Sequence, residues 1–429
     1  MKTKELLKKL KENAYRDQIA YIYACEPEET EKYAKRFEKV IGGFAKTFGE
    51  SEEIRLFSAP GRTEIGGNHT DHQHGCVLAA SLNLDVIGAV SLNGTNTVRI
   101  QSEGYPMDEI DLDDLEIHPE QFDRAVALIR GILKKFSDMG YQLAGFDAYT
   151  VSNVLKGSGM SSSAAFEVIV GNMVNSLFAN GEVDAVEIAK IGQYAENVYF
   201  GKPCGLMDQM ASSVGSVVAI DFKDPKTPMI RKVEFDFPSS GHALCIIDSG
   251  ADHADLTDDY AGITKEMRAV AEIFGKEYLR DVDPEEFMKK IPEIRQKLGN
   301  DRAVLRAIHF FNDNQRAQDE VAALRENDFE AFCDMLKKSG YSSYMYLQNI
   351  YSASAPLHQA VSLTLALCDE LLGDAGAYRV HGGGFAGTVQ AFVPHDLLAD
   401  FKEKIENVLG QGSCHVLAIR PVGGMEVIF

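Results

Sequence analysis

The sequence predicts an α+β protein with two domains. At 429 residues the chain is longer than one ordinary hydrophobic core supports. Apolar residues make up 45% of it and charged residues 25%, the proportions of a globular protein rather than of a disordered or collagen-like chain. Segments with strand character and segments with helical periodicity follow one another irregularly, which favours the α+β class.

The composition excludes several classes of partner. The formal net charge of -21 argues against non-specific binding to nucleic acid, which requires lysine and arginine to meet phosphates. No uninterrupted apolar run approaches the roughly 18–20 residues of a membrane span, and the basic N-terminus lacks the apolar core of a secretory signal. Seven scattered cysteines without a C-x-x-C spacing predict neither a disulfide framework nor a zinc site. We therefore expect a cytoplasmic protein without nucleic-acid or membrane partners.

The first part of the chain is predicted to be helical and the next part to form strands. Residues 1–50 are charged and helix-forming. Residues 54–59, IRLFSA, have the composition of a strand, which we expect to end at the Pro-Gly pair that follows. Residues 77–92 are rich in apolar and β-branched residues, as in a strand or a buried core, and residues 149–155 alternate like a strand.

The stretch GRTEIGGNHTDHQHG, residues 61–75, combines four glycines and three histidines with Arg62, Glu64 and Asp71. Its histidines are His69, His72 and His74. Three interpretations are open: a metal site built on the histidines, a solvated turn, or one wall of a pocket for a small polar molecule. No cysteine or further histidine cluster completes a ligand set, so spacing alone does not establish a metal site.

The loop KGSGMSSSAA, residues 156–165, leads into residues 164–178, which are apolar on almost every side and predict a buried helix. Gly157 and Gly159 let the backbone approach a ligand closely, and the serines that follow are typical of a helix N-terminus. Free amides and the positive end of the helix dipole favour an anion there. The pattern predicts phosphate binding or, alternatively, a flexible turn with a serine cap. It is not an ordinary P-loop, because the Walker pattern is absent.

Asp208 follows a Gly-Lys-Pro-Cys-Gly bend in a largely uncharged segment, residues 195–213. An aspartate there is either a helix N-cap or a buried acid with a chemical task. Glu196, on the helical segment before the bend, is more typical of a surface charge than of a functional group. A strand is predicted at residues 215–221, and DFKDPKTP, residues 221–228, has the two prolines of a linker.

The last part of the chain is predicted to contain helices and two strands around a glycine loop. The helical patterns cover residues 261–275, 285–298, 302–338 and 355–372. The strands GAYRV and TVQAFV flank HGGGFAG, residues 381–387. A dinucleotide-binding fold needs a helix after G-x-G-x-x-G, whereas a strand follows here, so that interpretation is excluded. A glycine loop between strands either lets the backbone approach a ligand or forms a tight turn.

Four motifs together resemble those of a known family. GRTEIGGNHTDH is close to Gly-Arg-x-Asn-x-x-Gly-Glu-His-Thr-Asp-Tyr, and LKGSGMSSSA to Pro-x-Gly-x-Gly-Leu-Ser-Ser-Ser-Ala. PCGLMDQ is close to Pro-Cys-Gly-Ile-Met-Asp-Gln, and GGGFAG to Gly-Gly-Gly-Phe-Gly-Gly. With these motifs in the same order, the chain resembles the GHMP small-molecule kinases and, among them, the galactokinase family. The resemblance covers about residue 40 to the C-terminus.

The resemblance implies a two-domain GHMP kinase-like fold of the α+β class. An N-terminal domain like ribosomal protein S5 domain 2 would span residues 41–225 and carry the sugar motif and the phosphate-binding loop. A ferredoxin-like C-terminal domain would span residues 226–429, and residues 1–40 would be a helical extension. The active site would lie in the cleft between the two domains.

The resemblance also implies which residues form the site. Asp208 takes the position of the catalytic aspartate, with the catalytic arginine Arg62 beside it, and Ser163 and Glu196 match ligands of Mg²⁺. The residues that match sugar contacts are Asn68, His69, Asp71, Gly205 and Tyr260. The residues that match the ATP-binding loop are Lys156, Gly157, Ser158, Gly159, Ser161, Ser162, Ser163 and Ala164. The supporting glycine loop is Gly382, Gly383 and Gly384.

The implied activity is phosphorylation by ATP of the C1 hydroxyl of a monosaccharide, with galactose giving galactose 1-phosphate. Three positions of the sugar motif depart from the family: Glu64 replaces its Asn, Asn68 its Glu and His72 its Tyr. We therefore expect the Asn68 amide to face a sugar hydroxyl, and Asn68→Glu to improve the use of galactose. A kinase for galactosamine, N-acetylgalactosamine, L-arabinose or L-fucose, and a non-catalytic regulator that senses sugar and ATP, remain alternatives.

Overall fold

The structure is a computed structural model that describes residues 2–155, 159–202, 204–251 and 256–427. The helices within these ranges are α1 (Thr3–Lys11), α2 (Arg16–Tyr23), α3 (Glu31–Phe48), α4 (Ala125–Asp138), α5 (Ser162–Phe178), α6 (Ala185–Tyr194), α7 (Met207–Val214), α8 (Thr257–Ile273), α9 (Pro284–Leu298), α10 (Asp301–Arg325), α11 (Phe329–Ser342), α12 (Ala360–Leu372) and α13 (Leu398–Leu409). The strands are β1 (Arg55–Gly66), β2 (Cys76–Leu92), β3 (Thr97–Ser102), β4 (Met107–Asp111), β5 (Phe146–Ser152), β6 (Val217–Asp221), β7 (Met229–Val233), β8 (His242–Asp248), β9 (Ala377–Val380), β10 (Thr388–Pro394), β11 (Cys414–Leu417) and β12 (Met425–Val427). None of the helices in these ranges combines the length and apolar composition needed to cross a membrane.

Two sheets organise the described chain. The larger sheet has the strand order β12-β1-β2-β5-β3-β4, with β6 beside β2 and β7 beside β6. The smaller sheet has the order β11-β8-β10-β9. Helix α5 is buried against the larger sheet and contributes Ile169 and Met173 to its core, as the apolar sequence of residues 164–178 predicts. Helices α12 and α13 cover the smaller sheet with side chains that include Leu365 and Phe401.

Strand β1 does not end at Pro60 and Gly61, where the sequence led us to expect a stop. Its register with β2 shifts between Pro60 and Arg62, and the strand continues to Gly66. A bulge of this kind accommodates a proline that has no N–H to donate. A second shift follows Glu64, so Arg62 and Glu64 lie in one regular segment. Because side chains alternate along a strand, these two point to the same face of the sheet.

The prediction of a linker at residues 221–228 is also wrong. Strands β6 and β7 pair antiparallel on either side of it, so this segment contains the turn of a hairpin. The boundary expected at residue 225 falls within that turn, and the division of the chain into domains stays a proposal.

The helix expected at residues 302–338 is two helices, α10 and α11. Asn327 adopts a left-handed conformation between them, with φ at 58°. Asp328 then accepts a hydrogen bond from the Ala331 amide at 2.9 Å and caps α11. Asparagine tolerates this conformation better than most residues, and aspartate is a preferred N-cap, so both changes have a local cause.

The N-terminal helices α1, α2 and α3 pack against the larger sheet. Their apolar side chains, including Phe37 and Ile41, share a core with Leu56 of β1 and Ile87 of β2. Residues predicted as an extension thus bury one face of this sheet.

A polar anchor reinforces that packing. Asp85 of β2 is fully buried, and its carboxylate accepts hydrogen bonds from the Tyr23 hydroxyl at 2.6 Å and from Arg36 Nη1 at 2.5 Å. Ser58 of β1 donates to the same carboxylate, and Arg420 Nη1 lies 3.3 Å from it. The carboxylate therefore joins the N-terminal helices to the sheet and to the end of the chain.

Tyr23→Phe is expected to lower the free energy of unfolding by about 1.5–3 kcal/mol, the usual contribution of a hydrogen bond to a charged group. The phenyl ring retains the packing of Tyr23 and removes only the donor. Denaturant unfolding of the purified variant measures this. Tyr21→Phe is the matched control, because the Tyr21 side chain is on the same helix and 61% exposed. If both variants lost the same free energy of unfolding, the hydrogen bond from Tyr23 to Asp85 would not stabilise the protein.

Glu320 of α10 is a buried acid that has no hydrogen-bond partner for either carboxyl oxygen among the described residues. It lies against Gly66, where an added Cβ would come within 1.7 Å of Glu320 Oε2. Burial, and then the negative charge of Asp313, raises the pKa of Glu320 well above its ordinary value. The folded protein therefore holds the proton on this carboxyl at a pH where the unfolded chain has released it.

Glu320→Met is expected to raise the free energy of unfolding near neutral pH by about 1–3 kcal/mol, the penalty of an unsatisfied buried polar group. The folded-state pKa lies above the unfolded-state value, so the stability that the wild-type carboxyl contributes is fully present below the unfolded-state pKa. It is lost as the pH rises through the folded-state pKa. The advantage of the variant should therefore shrink as the pH falls towards 4.5, the ordinary value for Glu.

Melting temperatures of wild type and Glu320→Met across that pH range test this. Glu326→Met, at an exposed position just after α10, is the control and should show no pH-dependent gain. A variant advantage that does not change with pH would mean that Glu320 is not the titrating group.

Candidate active site

The site is built around an ion pair between β1 and the first turn of α7. Arg62 Nε donates to Asp208 Oδ1 at 2.7 Å, with the arginine side chain buried and the aspartate side chain 34% exposed. Arg62 Nη1 also donates to the Gly159 carbonyl, and the Ser161 hydroxyl donates to Asp208 Oδ2. These contacts join the sugar motif, the phosphate-binding loop and the PCGLMDQ segment. Asp208 is not a helix N-cap, because it lies in the first turn of α7 after Leu206 in the cap position.

The surroundings of Asp208 favour its ionised form. Burial acts to raise its pKa, but the charge of Arg62 and the hydrogen bonds from Arg62 and Ser161 outweigh burial. The pKa of Asp208 consequently lies below its ordinary value. An ionised, partly exposed carboxylate held in a fixed orientation can accept the proton of a hydroxyl group.

The N-terminus of α5 lies beside this ion pair. Ser161 occupies the cap position in a left-handed conformation, with φ at 53°, and Gly159 has a φ of 70°. The serines thus lie at the helix N-terminus, as the sequence predicts, but the Ser161 hydroxyl donates to Asp208, and no side chain caps α5 in the described structure. Ser162, Ser163 and Ala164 form the first turn. Uncapped amides at the start of a buried 17-residue helix favour an anion.

Two acidic residues lie close together behind that turn. Gln209 Nε2 donates to Glu167 Oε2 at 2.9 Å and to Glu196 Oε2 at 2.8 Å, and all three residues are buried. Lys202 Nζ is 4.0 Å from Glu196 Oε1. Burial, and then the charge of Glu196, raises the pKa of Glu167 well above its ordinary value. The alternative that Glu196 is a surface charge is therefore wrong. None of the sequence motifs singles out Glu167, although it lies one helical turn after Ser163 on α5.

The histidines of the sugar motif do not gather into a metal site. Within the described ranges, no group of three or more His, Cys, Asp or Glu side chains is placed to hold a metal ion. His69 Nδ1 lies 3.0 Å from His72 Nε2, whereas the His74 ring stacks on Tyr278 with centroids 3.6 Å apart. Mg²⁺ typically takes only one or two protein ligands beside phosphates and water, so this absence does not bear on Ser163 and Glu196.

Asn68 is enclosed by protein, and its amide faces no open space. Its Nδ2 donates to Glu64 Oε1 at 2.9 Å and to the Gly382 carbonyl at 2.7 Å. Its Oδ1 accepts from Asn349 Nδ2 at 2.8 Å and from the Ser343 hydroxyl at 3.2 Å. The side chain is fully buried, and both of its donors and both of its acceptor positions are used. These contacts contradict the expectation that the Asn68 amide faces a sugar hydroxyl; the residue instead joins the sugar motif to distant segments.

The other sequence-predicted sugar contacts differ in how open they are. His69 Nε2 donates to the Gly383 carbonyl at 2.8 Å, while burial, followed by the charge of His72, lowers the pKa of His69 to about 3. The Tyr260 hydroxyl donates a hydrogen bond to the Gly384 carbonyl at 2.9 Å, and the Tyr260 ring lies over His69 with ring centroids 6.5 Å apart.

The Asp71 side chain is 24% exposed, and an added Cβ on the exposed Gly205 would lie 3.5 Å from Asp71 Oδ2. Asp71 and Gly205 are therefore more accessible to a ligand than His69 and Asn68.

The glycine loop holds the sugar motif through its backbone. Consecutive carbonyls of Gly382, Gly383 and Gly384 accept hydrogen bonds from Asn68, His69 and Tyr260, respectively. Gly384 has a φ of 78°, and an added Cβ there would lie 2.0 Å from the Asn349 carbonyl. The backbone of this loop therefore lies close to Asn349, and its close approach to a ligand stays a prediction.

Several residues that hold the site are not predicted from the sequence. Asp313 accepts from the backbone N–H of Asn68 at 2.8 Å, and His309 Nε2 lies 2.9 Å from the backbone carbonyl of Asn68. Both come from α10, which has no motif that singles them out. Arg379 Nη2 donates to Glu64 Oε1 at 2.9 Å. For Glu64, the replacement of the family's Asn by Glu is the one feature of the sequence that indicates a special role. The expected ATP-binding residues Lys156, Gly157 and Ser158 lie outside the described residues.

Known families match two parts of the chain. The family model for the galactokinase galactose-binding signature matches residues 42–92, and the model for the GHMP kinases N terminal domain matches residues 126–216. A galactokinase of Glaesserella parasuis serovar 5 (strain SH0165) is 30% identical over 372 residues, which cover 84% of this chain and 91% of the relative.

Two solved structures share the fold. Lactococcus lactis galactokinase complexed with galactose has a TM-score of 0.76 at 24% identity, with 91% of this chain and 100% of that chain covered. Methanococcus jannaschii mevalonate kinase has a TM-score of 0.60 at 13% identity, with 86% and 99% covered. These likenesses confirm the predicted α+β fold, and the identity and coverage of the sequence relative confirm the resemblance seen in the four motifs. The chain belongs to the galactokinase family of the GHMP kinases.

Proposed function

We propose that this protein transfers the γ-phosphoryl group of ATP to the C1 hydroxyl of a monosaccharide, and that galactose is the sugar. The observation that carries the proposal is the Arg62–Asp208 ion pair, fixed to the loop before the uncapped N-terminus of α5. It places a carboxylate that can accept a proton beside amides that favour phosphate. The galactose-binding signature over residues 42–92 and the galactokinase relatives support the choice of sugar. A cytoplasmic location remains a prediction.

Each residue has a role in the proposed transfer. Phosphoryl transfer through a loose transition state depends mainly on positioning and on stabilising charge. Asp208 would orient the C1 hydroxyl and accept its proton as the phosphoryl group arrives. Arg62 would keep Asp208 ionised and hold it in place. The first amides of α5 would bind the phosphates, while the region around Asp71 and Gly205 would receive the sugar.

Mg²⁺ is part of the proposal, and the residues present fit it. Glu167 Oε1 and Gln209 Oε1 are enclosed oxygens without a hydrogen-bond partner among the described residues, next to the buried Glu196. Ser163 lies in the first turn of α5, which also carries Glu167. Bound Mg²⁺ supplies neutralisation of the phosphate charge, and we propose Ser163 and Glu196 as the residues that would hold it.

A coupled assay of ADP release with a panel of sugars tests the proposal. The panel contains galactose, galactosamine, N-acetylgalactosamine, L-arabinose and L-fucose, each with ATP and Mg²⁺. We expect the highest kcat/KM with galactose, and an NMR spectrum of the product that places the phosphate on C1. Higher kcat/KM with another sugar would correct the substrate. Binding of sugar and ATP without ADP release would favour a regulator and overturn the proposed activity.

A further inference from the structure

We propose that Glu64 is a specificity-determining residue whose second carboxyl oxygen, Oε2, accepts a hydrogen bond from a hydroxyl group of the sugar. The inference rests on the proposed function and deepens it, because it assigns the selection of the sugar to a residue outside the predicted contacts. The substrate class is a neutral monosaccharide with a free hydroxyl at the position that Glu64 reaches.

The direction of Glu64 is the first support. It lies two residues after Arg62 in the part of β1 that pairs with β2 without a register shift. Both side chains therefore point to the same face of the sheet. Burial raises the pKa of Glu64, and the charges that act on that pKa include Arg62, which lowers it, and Asp71, which raises it. The Glu64 carboxyl thus lies within electrostatic range of the ion pair and of the open part of the sugar loop.

The two oxygens of Glu64 have different surroundings. Oε1 accepts from Asn68 Nδ2 and from Arg379 Nη2, each at 2.9 Å. Oε2 has no hydrogen bond to any residue that the structure describes, and it is not among the fully enclosed atoms that lack a partner. One oxygen is therefore fixed by protein donors while the other keeps its capacity to accept. A carboxylate held in this way presents an acceptor in a single orientation.

The hydrogen bonds of Asn68 leave Glu64 as the available acceptor. Every hydrogen-bonding position of its amide is used by protein, so this residue has none left for a sugar. The family motif carries Asn at position 64 and Glu at position 68, and this chain carries Glu and Asn in those places. This chain therefore has one carboxyl and one amide at these two positions, as the family has, but in exchanged places. The carboxyl oxygen that can still accept a hydrogen bond belongs to Glu64.

Glu64→Gln tests the inference with the family of monodeoxy galactoses (2-, 3-, 4- and 6-deoxy). The Gln carbonyl can still accept from Asn68 and Arg379, which leaves the Gln NH₂ in place of the Oε2 acceptor. We expect the KM for galactose to rise about ten- to hundred-fold, the equivalent of one hydrogen bond to a charged acceptor, with the KM for ATP unchanged. Glu109→Gln, at an exposed position on β4, is the matched control and should change neither constant.

The deoxy sugars distinguish a direct contact of Glu64 with the sugar from an indirect effect of the substitution on the fold. In the wild type, one deoxy sugar should lose about ten- to hundred-fold in kcat/KM relative to galactose, and in Glu64→Gln that same loss should largely disappear. A variant that is merely misfolded would lower kcat/KM for every sugar by the same factor. An unchanged KM and an unchanged deoxy-sugar pattern in Glu64→Gln would overturn this inference alone. Wild-type protein that phosphorylates no sugar would instead overturn the proposed function.

Discussion

Asp208→Asn is expected to lower kcat by about 10²–10⁴-fold, the usual contribution of a general base. Asparagine keeps the size of the side chain, and its carbonyl can still accept the hydrogen bond from Arg62. It has no basic oxygen for the sugar proton, so the loss should fall on turnover. The KM for ATP should change little, because the amides of α5 do not depend on the charge of Asp208. Steady-state kinetics with galactose and ATP measure both constants.

The control for this prediction is Asp113→Asn. Asp113 is exposed in the turn after β4, so the same chemical change there should leave kcat and KM unchanged. Melting temperatures of both variants establish that the comparison concerns folded protein. A folded Asp208→Asn variant with near-normal turnover would show that the proton acceptor is another group or that no side chain is needed for this step.

The elements predicted well from the sequence have local causes. Helix α5 is apolar on nearly every side, and its buried position follows from that pattern alone. Strands β9 and β10 on either side of the glycine loop follow from their composition, and the glycines between them mark the loop. The proximity of Arg62 and Asp208 has no local cause, because 146 positions separate the two residues. Only the resemblance to the family predicts it.

The errors have causes that a local pattern does not contain. Pro60 lies inside β1 because a register shift absorbs it, and this shift depends on the partner strand β2. The partners of Asn68 include Asp313, Asn349 and Gly382, at separations of 245, 281 and 314 positions. Nothing within the sugar motif specifies these contacts. The motif alone therefore predicts that Asn68 changes sugar recognition, whereas in the structure its side chain links separate parts of the protein.

The enclosure of Asn68 reverses the expected result of Asn68→Glu. The substitution replaces an NH₂ group that donates to Glu64 and to the Gly382 carbonyl with an oxygen that can only accept. It also places a second carboxylate against Glu64 in a fully buried position. Leaving a buried charge without compensation typically costs about 3–5 kcal/mol. We expect a loss of that size in the free energy of unfolding, and a lower kcat/KM for galactose, because the sugar motif loses one of its links to the glycine loop.

The double variant Glu64→Asn with Asn68→Glu distinguishes a lost link from a lost sugar contact. It restores one amide and one carboxyl in the order of the family motif, so the amide at position 64 can donate to the carboxyl at position 68. Because the two side chains are in contact, their effects should be strongly non-additive, and the double variant should recover most of the stability that Asn68→Glu loses. Denaturant unfolding of wild type, both single variants and the double variant completes the cycle. If Asn68→Glu alone were as stable as wild type and used galactose better, the amide would be a sugar contact after all, and the network drawn around it would be wrong.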